Sequence, residues 1–184
     1  MLFYQFNNAN RANQNTGNIV KLKPRHFFYA ILVSTIGSQS IAAERGPVTN
    51  LLMPRYVSLK ATEANARRGP SLSHRIDCIF QKKGRPFEIY GEYDNWRRVR
   101  DAEGAGGWIH YSLLSGVRSI VVTSSMANLH RKSNKNSMVL ARIEENYIAD
   151  LGKCVKDWCE IDAGKYDGWV KKTDIWGVAP NEVR

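Results

Sequence analysis

Cys154 and Cys159, in the run Cys154-Val155-Lys156-Asp157-Trp158-Cys159, are the residues best placed for covalent chemistry. Two thiols at that spacing can bridge across a tight hairpin or supply half of a four-ligand zinc site. No second pair of thiols and no nearby histidine completes a metal set, so a disulfide is expected wherever the chain meets oxidising conditions. A bridge closing so short a loop stabilises by about 2 kcal/mol on the chain-entropy estimate. Cys78, in Ile76-Asp77-Cys78-Ile79-Phe80, has no adjacent base and reads as a small buried hydrophobe. His74, His110 and His130 belong to no motif tying them to a serine or cysteine nucleophile. Asp94, Asp101 and Glu103 fall in turn-like segments, where acidic side chains serve loop geometry. The expectation is a chain without a catalytic centre, metal or cofactor.

The other chemistry legible in the residues is recognition. In Trp158-Cys159-Glu160-Ile161 a period of two puts Cys159 and Ile161 on one face and Trp158 and Glu160 on the other. With the first face turned to a core, Trp96 and Trp158 are expected at the surface. Tyr90, Tyr93, Trp108, Tyr111 and Trp169 join them as candidate ligand-binding residues, an aromatic shelf suited to a peptide or a sugar face. A bulge that shifts the register would instead make the tryptophans caps on the core.

The elements that must position these residues are written twice. Asn65-Ala66-Arg67 recurs as Asn128-Leu129-His130, Asp94-Asn95-Trp96 as Lys156-Asp157-Trp158, and Gly107-Trp108-Ile109 as Gly168-Trp169-Val170, at offsets of 63, 62 and 61. Offsets that shrink by one at each landmark fit two copies of one unit of about 60 residues, separated by single deletions in loops. Within each copy, short runs of Ile, Val, Phe, Tyr and Trp alternate with Gly, Asp, Asn and Lys, without a sustained helical period. Phe87-Glu88-Ile89-Tyr90 alternates strictly, and Trp96 to Arg100 passes a Gly-rich turn and returns as Trp108 to Tyr111. An all-β chain of two tandem small barrels is predicted.

Ahead of the repeat the composition changes. Residues 1–43 carry Arg11, Lys21, Lys23 and Arg25 and no acid. Lys21 to His26 precede the apolar run Phe27 to Ile36, and small residues follow up to Ala43. That is a secretory signal pattern, with cleavage expected after Ala42 or Ala43. It begins unusually late, and a true start near Val20 gives a leader of about 24 residues. The predicted organisation is therefore 1–43 signal segment, 44–55 extended linker with Pro47 and Pro54, 56–121 first barrel and 122–184 second barrel. The whole chain has 184 residues, with Lys+Arg 27 against Asp+Glu 17 for a net charge of +10. Eleven basic and seven acidic residues fall in 56–121, against ten and nine in 122–184. Such a balance speaks for anionic partners and solubility, not for a fold.

The motifs Asn65-Ala66-Arg67-Arg68-Gly69-Pro70-Ser71, Lys83-Gly84, Trp96-Arg97-Arg98-Val99 and Gly107-Trp108-Ile109 resemble the bacterial SH3-like domain over residues 60–116. The second copy resembles a diverged form, with Arg131-Lys132-Ser133-Asn134 where Arg68-Gly69-Pro70-Ser71 stood. The whole mature chain is similar to exported two-copy SH3-like proteins of alphaproteobacteria, which end in a segment like Trp176-Gly177-Val178 and carry a Cys pair like Cys154 and Cys159 flanking the second-copy tryptophan. The resemblance implies an adhesive module that attaches to peptidoglycan stem peptides or to peptide segments of envelope proteins, in the periplasm or outside the cell.

Two rival expectations stand beside it. Lys82, Lys83, Arg85, Arg97, Arg98 and Arg100 crowd the first copy, and arginine interleaved with aromatics can bind single-stranded nucleic acid. An exported chain meets anionic cell wall, lipid headgroups or acidic proteins instead. The same leader and modules equally suit a secreted factor acting on a host or neighbouring cell.

Overall fold

The protein is described here by a computed structural model covering residues 44–184. The expected leader, its cleavage point and the alternative start lie outside the described residues. The first barrel runs β3 (Arg55–Leu59), β4 (Glu63–Arg67), β5 (Ile76–Gln81), β6 (Pro86–Tyr93), β7 (Trp96–Arg100), β8 (Gly106–His110) and β9 (Leu114–Ser115). The second runs β10 (Ser119–Val122), β11 (Met126–His130), β12 (Val139–Glu144), β13 (Ile148–Cys154), β14 (Trp158–Asp162), β15 (Asp167–Lys171) and β16 (Ile175–Trp176). Their strand orders, β5-β4-β8-β7-β6-β3-β9 and β12-β11-β15-β14-β13-β10-β16, are the same order seven strands on. The two all-β copies expected from the repeat are thus present, strand for strand.

Alternation builds each core. Ala64 and Ala66 point inward from β4 while Asn65 stays at the margin, and Ala127 and Leu129 do the same from β11. Val57, Leu59, Phe80, Phe87, Ile89, Val99 and Ile109 fill the first barrel, with the Phe80 and Phe87 rings edge to face at 4.7 Å. Ile120, Val122, Leu129, Ile161, Val170 and the two bridged cysteines fill the second. Each buried aliphatic or aromatic side chain contributes about 1.5–3 kcal/mol, so barrels of this size stand on a handful of such residues.

The strand register breaks at the same place in both copies. A register shift follows Ala66 in β4 and Leu129 in β11. Beyond it, Arg67 pairs with Trp108 and His130 with Trp169. The backbones approach so closely there that a Cβ on Gly107 would lie 2.7 Å from the Arg67 carbonyl oxygen, and one on Gly168 2.7 Å from that of His130. This is the physical reason for the repeated Gly-Trp pair.

Two boundaries differ from the sequence reading. Residues 44–55 are not an extended linker: β1 (Glu44–Arg45) pairs with β2 (Leu52–Met53), and the turn is tied by Gly46 N–H donating to Leu51 O at 2.8 Å. The barrels divide at residues 116–118, ahead of the expected 121/122, because β10 pairs with β13 and β16 of the second copy. At the junction Ser58 Oγ donates to Val117 O (2.8 Å), Ser119 Oγ donates to Gly84 O (2.5 Å), and Tyr56 meets Trp176 edge to face at 5.2 Å. Among the described residues no helix is long and apolar enough to cross a membrane.

Candidate functional site

Cross-strand register lines up the first barrel's aromatics on its outer face. Tyr93 pairs with Trp96 across β6 and β7, and Trp96 pairs with His110 across β7 and β8. Side chains directly opposite share a face, so these three form one row. A second row runs beside it, Gly91 to Arg98 to Trp108 to Arg67, with Tyr90 at its edge. The guanidinium carbons of Arg98 and Arg100 lie over the Tyr90 ring at 5.1 and 5.4 Å.

The loop 68–75 rises over the first row. Arg67 Nη1 donates to Leu72 O (3.0 Å) and His74 O (2.8 Å), fixing the loop backbone. Hydrogen bonds from Arg75 and Arg68 hold the Asp77 carboxyl at its base below the usual range. The loop holds Leu72 outward, 76% exposed. Between this loop and the Asp94-Asn95 turn lies a groove of about 610 Å³, lined by Pro70, Ser71, Leu72, Asp94, Asn95, Trp96 and His110. Its width and mix of apolar and amide groups suit an extended peptide or a sugar edge.

The expectation that Trp96 and Trp158 stand free at the surface is corrected. Each lies on the outer face, as the alternation requires, but each is only 8% exposed. The His110 ring meets Trp96 edge-on at 5.5 Å, and Nδ1 of that histidine shares a 2.8 Å hydrogen bond with Ser112 Oγ. His130 meets Trp158 edge-on at 5.1 Å, and Lys171 Nζ lies 5.9 Å from the Trp158 ring. Trp96 therefore lines the groove as a largely covered side chain.

The structure brings Tyr93, Trp96 and Tyr111 to one corner of the first barrel and sets Tyr90 and Trp108 along the adjoining strip. Trp158 and Trp169 occupy the equivalent places on the second barrel, a separate surface. Leu72, Pro70, Asn95 and His110 were not foreseen as lining residues. The available signal was a single large apolar residue set among serines, glycine and proline.

The outer faces of the copies differ in charge. Arg98 pairs with Trp108, and Glu160 pairs with Trp169. Arg100 pairs with Glu88 and Gly106, whereas Asp162 pairs with Asp150 and Asp167. Two arginines of the first strip are thus two acids on the second. Among the described residues no group of three or more His, Cys, Asp or Glu is placed to hold a metal ion.

The expected disulfide is present, whereas Cys78, expected to be buried, is only half-buried. Cys154 and Cys159 are bridged, cross-strand partners on β13 and β14, and fully buried. Cys78 is free and half-buried at the margin of the first core, its Sγ 3.6 Å from Gly106 O. Burial and the nearby Asp101 push its thiol up, away from the nucleophilic thiolate. Asp101 serves its turn, accepting from the N–H groups of Glu103 (3.1 Å) and Ala105 (2.9 Å) and pairing with Arg85.

A small barrel formed by one seven-stranded antiparallel sheet, with a loop beside a largely covered tryptophan, is the architecture of an SH3-type domain. The bacterial SH3 domain model matches residues 60–116 and again 123–177. The chain belongs to that family, in two copies, and the family consists commonly of cell-wall or protein-binding modules. Among solved structures it is similar to NlpC2 from Trichomonas vaginalis (14% identity, 67% of this chain and 48% of that one, TM-score 0.32). NlpC1 from the same organism is similar at 13% identity, over 71% of this chain and 48% of that one, with a TM-score of 0.33. An NlpC/P60 family protein from Bacillus cereus ATCC 10987 shares 12% identity over 66% of this chain and 55% of its own, with a TM-score of 0.30. The chain thus spans about half the length of these structures. No curated protein matches it.

Proposed function

We propose that this chain is an exported, non-catalytic binding module whose first barrel attaches to the peptide part of peptidoglycan or to an extended segment of an envelope protein. The observation that carries the reading is the groove lined by the exposed Leu72 of the loop together with Trp96, Asn95 and His110. A loop backbone held by Arg67 keeps that groove formed before a ligand arrives, which lowers the ordering cost of binding. The buried disulfide and the leader pattern both suit an oxidising compartment, periplasmic or external. Export also makes a secreted role toward another cell compatible with the same module.

Co-sedimentation with purified peptidoglycan sacculi tests the reading, alongside fractionation of cells into cytoplasm, periplasm, envelope and medium. The expected result is sedimentation with sacculi that is lost in Leu72→Asp, and protein recovered outside the cytoplasm. Sedimentation unchanged by that substitution, or protein confined to the cytoplasm, overturns it. A second reading, single-stranded nucleic acid, is favoured only by Arg98 and Arg100 stacked about Tyr90. Tight oligonucleotide binding with a steep salt slope promotes it over the first.

A further inference from the structure

Gly152, Glu160 and Asp162 on the second barrel stand 62 residues on from Tyr90, Arg98 and Arg100 on the first, the offset that also relates Trp158 to Trp96. One tyrosine and two arginines thus give way to a glycine and two acids at the same three places of the sheet. With no side chain at 152, the second barrel has a groove of about 270 Å³ there, lined by Gly152 with Asp150, Glu160, Asp162 and Asp167. Asp150, Asp162 and Asp167 are exposed and Glu160 is half-buried. Register sets Asp150 opposite Asp162, and Asp162 opposite Asp167. Like charges directly opposite destabilise a sheet, yet none of these four carboxylates forms an ion pair among the described residues. Asp162 Oδ1 accepts from Gly164 N–H of its own turn at 2.7 Å. Lys165, in that turn, lies instead against the Tyr166 ring, 5.5 Å from its centre.

The first barrel carries the counterpart. Tyr90 is 38% exposed, with the guanidinium carbons of Arg98 and Arg100 5.1 and 5.4 Å from the centre of its ring. Arg100 is already answered by Glu88, but Arg98 is exposed and forms no ion pair among the described residues. Tyrosine and arginine are also the side chains that anchor interfaces most often. An aromatic knob with an accessible, unpaired guanidinium on one barrel therefore matches, in shape and in sign, an acid-rimmed hollow on the other. Within one chain the two strips make no ion pair with each other. A patch that complements a different patch of the same molecule makes a heterologous contact, which runs head to tail from copy to copy.

We propose that the partner of both strips is a second copy of this chain: Tyr90 of one copy enters the Gly152 groove of the next, and Arg98 meets the Glu160 and Asp162 carboxylates at its rim. The contact uses no residue of the groove beside Leu72 and goes beyond the binding function proposed above. Exposed charges around a single aromatic place it in the small, transient and salt-sensitive class of interfaces. Sedimentation velocity of the purified chain at concentrations up to about 1 mM tests it. The average mass is expected to rise with concentration at about 0.05 M salt and to return to that of a single chain at about 0.5 M salt. Arg98→Glu and Glu160→Arg are each expected to weaken association about tenfold, by turning attraction into repulsion. Tyr90→Ser is expected to weaken it with the charges left in place. An equimolar mixture of Arg98→Glu and Glu160→Arg is expected to associate again, because the intact Tyr90 strip of one variant meets the intact groove of the other. Misfolded variants cannot produce that recovery. A parent chain that stays single at every concentration in low salt, association indifferent to both charge reversals, or a mixture no more associated than either variant alone overturns the proposal.

Discussion

Glu92 and Arg97 are cross-strand partners on β6 and β7, their charged ends 3.6 Å apart, at the position where the second barrel carries its disulfide. The five-residue spacing of Glu92 and Arg97 equals that of Cys154 and Cys159, and all four residues are buried. One copy closes this end covalently, the other electrostatically. The ionic version needs a cover, which the hairpin supplies through Val48 and Thr49.

That arrangement makes the first barrel's end acid-sensitive. Burial pushes the Glu92 carboxyl up, but the hydrogen bonds of Thr49, Arg55 and Val48 outweigh it and hold the group at about 2, below its ordinary 4.5. A carboxyl depressed in the folded state contributes stability in full above its unfolded pKa and loses it as pH falls through the folded value. Melting temperature is therefore expected to fall between about pH 4.5 and about pH 2. Glu92→Gln should melt lower at neutral pH, and its curve should converge with the parent curve in acid. Two parallel curves count against the network.

The covalent version predicts a different sensitivity. Replacing Cys154 and Cys159 together by alanine is expected to cost about 2 kcal/mol through the short closed loop. Denaturant unfolding checks this, with the same loss produced in the parent by thiol reductant. Cys78 does not compensate, being half-buried on the other barrel.

Much of this fold could be read from the residue string, for reasons that name particular residues. The shrinking offsets marked the duplication, the alternation of Cys159 and Ile161 against Trp158 gave the strand faces, and the Gly-Trp pairs at 107–108 and 168–169 marked the returning strand of each hairpin. What could not be read depends on contacts distant in sequence. Glu92 meets Val48 and Thr49 only once the barrel exists, so 44–55 looked like a linker. His130 covers Trp158 from β11, 28 residues away, and no periodicity within β14 signals such a lid. The groove likewise depends on Arg67 reaching the carbonyls of a loop that reads as polar filler.

Burial of Trp96 separates stability from binding at the groove. Truncating an aromatic this covered costs about 3 kcal/mol, so Trp96→Ala should melt well below the parent and is a poor probe of ligand contact. Leu72→Asp, at an exposed loop tip, should change stability by no more than about 0.5 kcal/mol while weakening sacculus binding. Paired melting and co-sedimentation measurements decide it; equal losses in both variants contradict the assignment.

Gly177 locks the junction between the copies. It has φ +116°, and a Cβ there would lie 2.6 Å from Ser119 O and 3.4 Å from Pro86 Cβ. Gly177→Ala is expected to cost about 1–3 kcal/mol from backbone strain and the forced shift. Thermal unfolding reads the loss, and an unaltered melting temperature shows that the junction can relax.

The charge reversal between equivalent strips makes the two barrels unequal partners for an anionic surface. Arg98 and Arg100 flank Tyr90 on the first, where Glu160 and Asp162 stand on the second, and acids facing an anionic wall repel it. Attraction of exposed charges is screened over about 8 Å at physiological salt, so this contribution should fade as salt rises while the groove contribution persists. Arg98→Glu with Arg100→Glu is therefore expected to abolish the salt-sensitive part of sacculus binding and leave the salt-resistant part. Glu160→Lys with Asp162→Lys should add a new salt-sensitive part. Co-sedimentation across a salt series measures both, and a double-arginine variant that binds with the parent's salt dependence shows that the first strip does not face the wall.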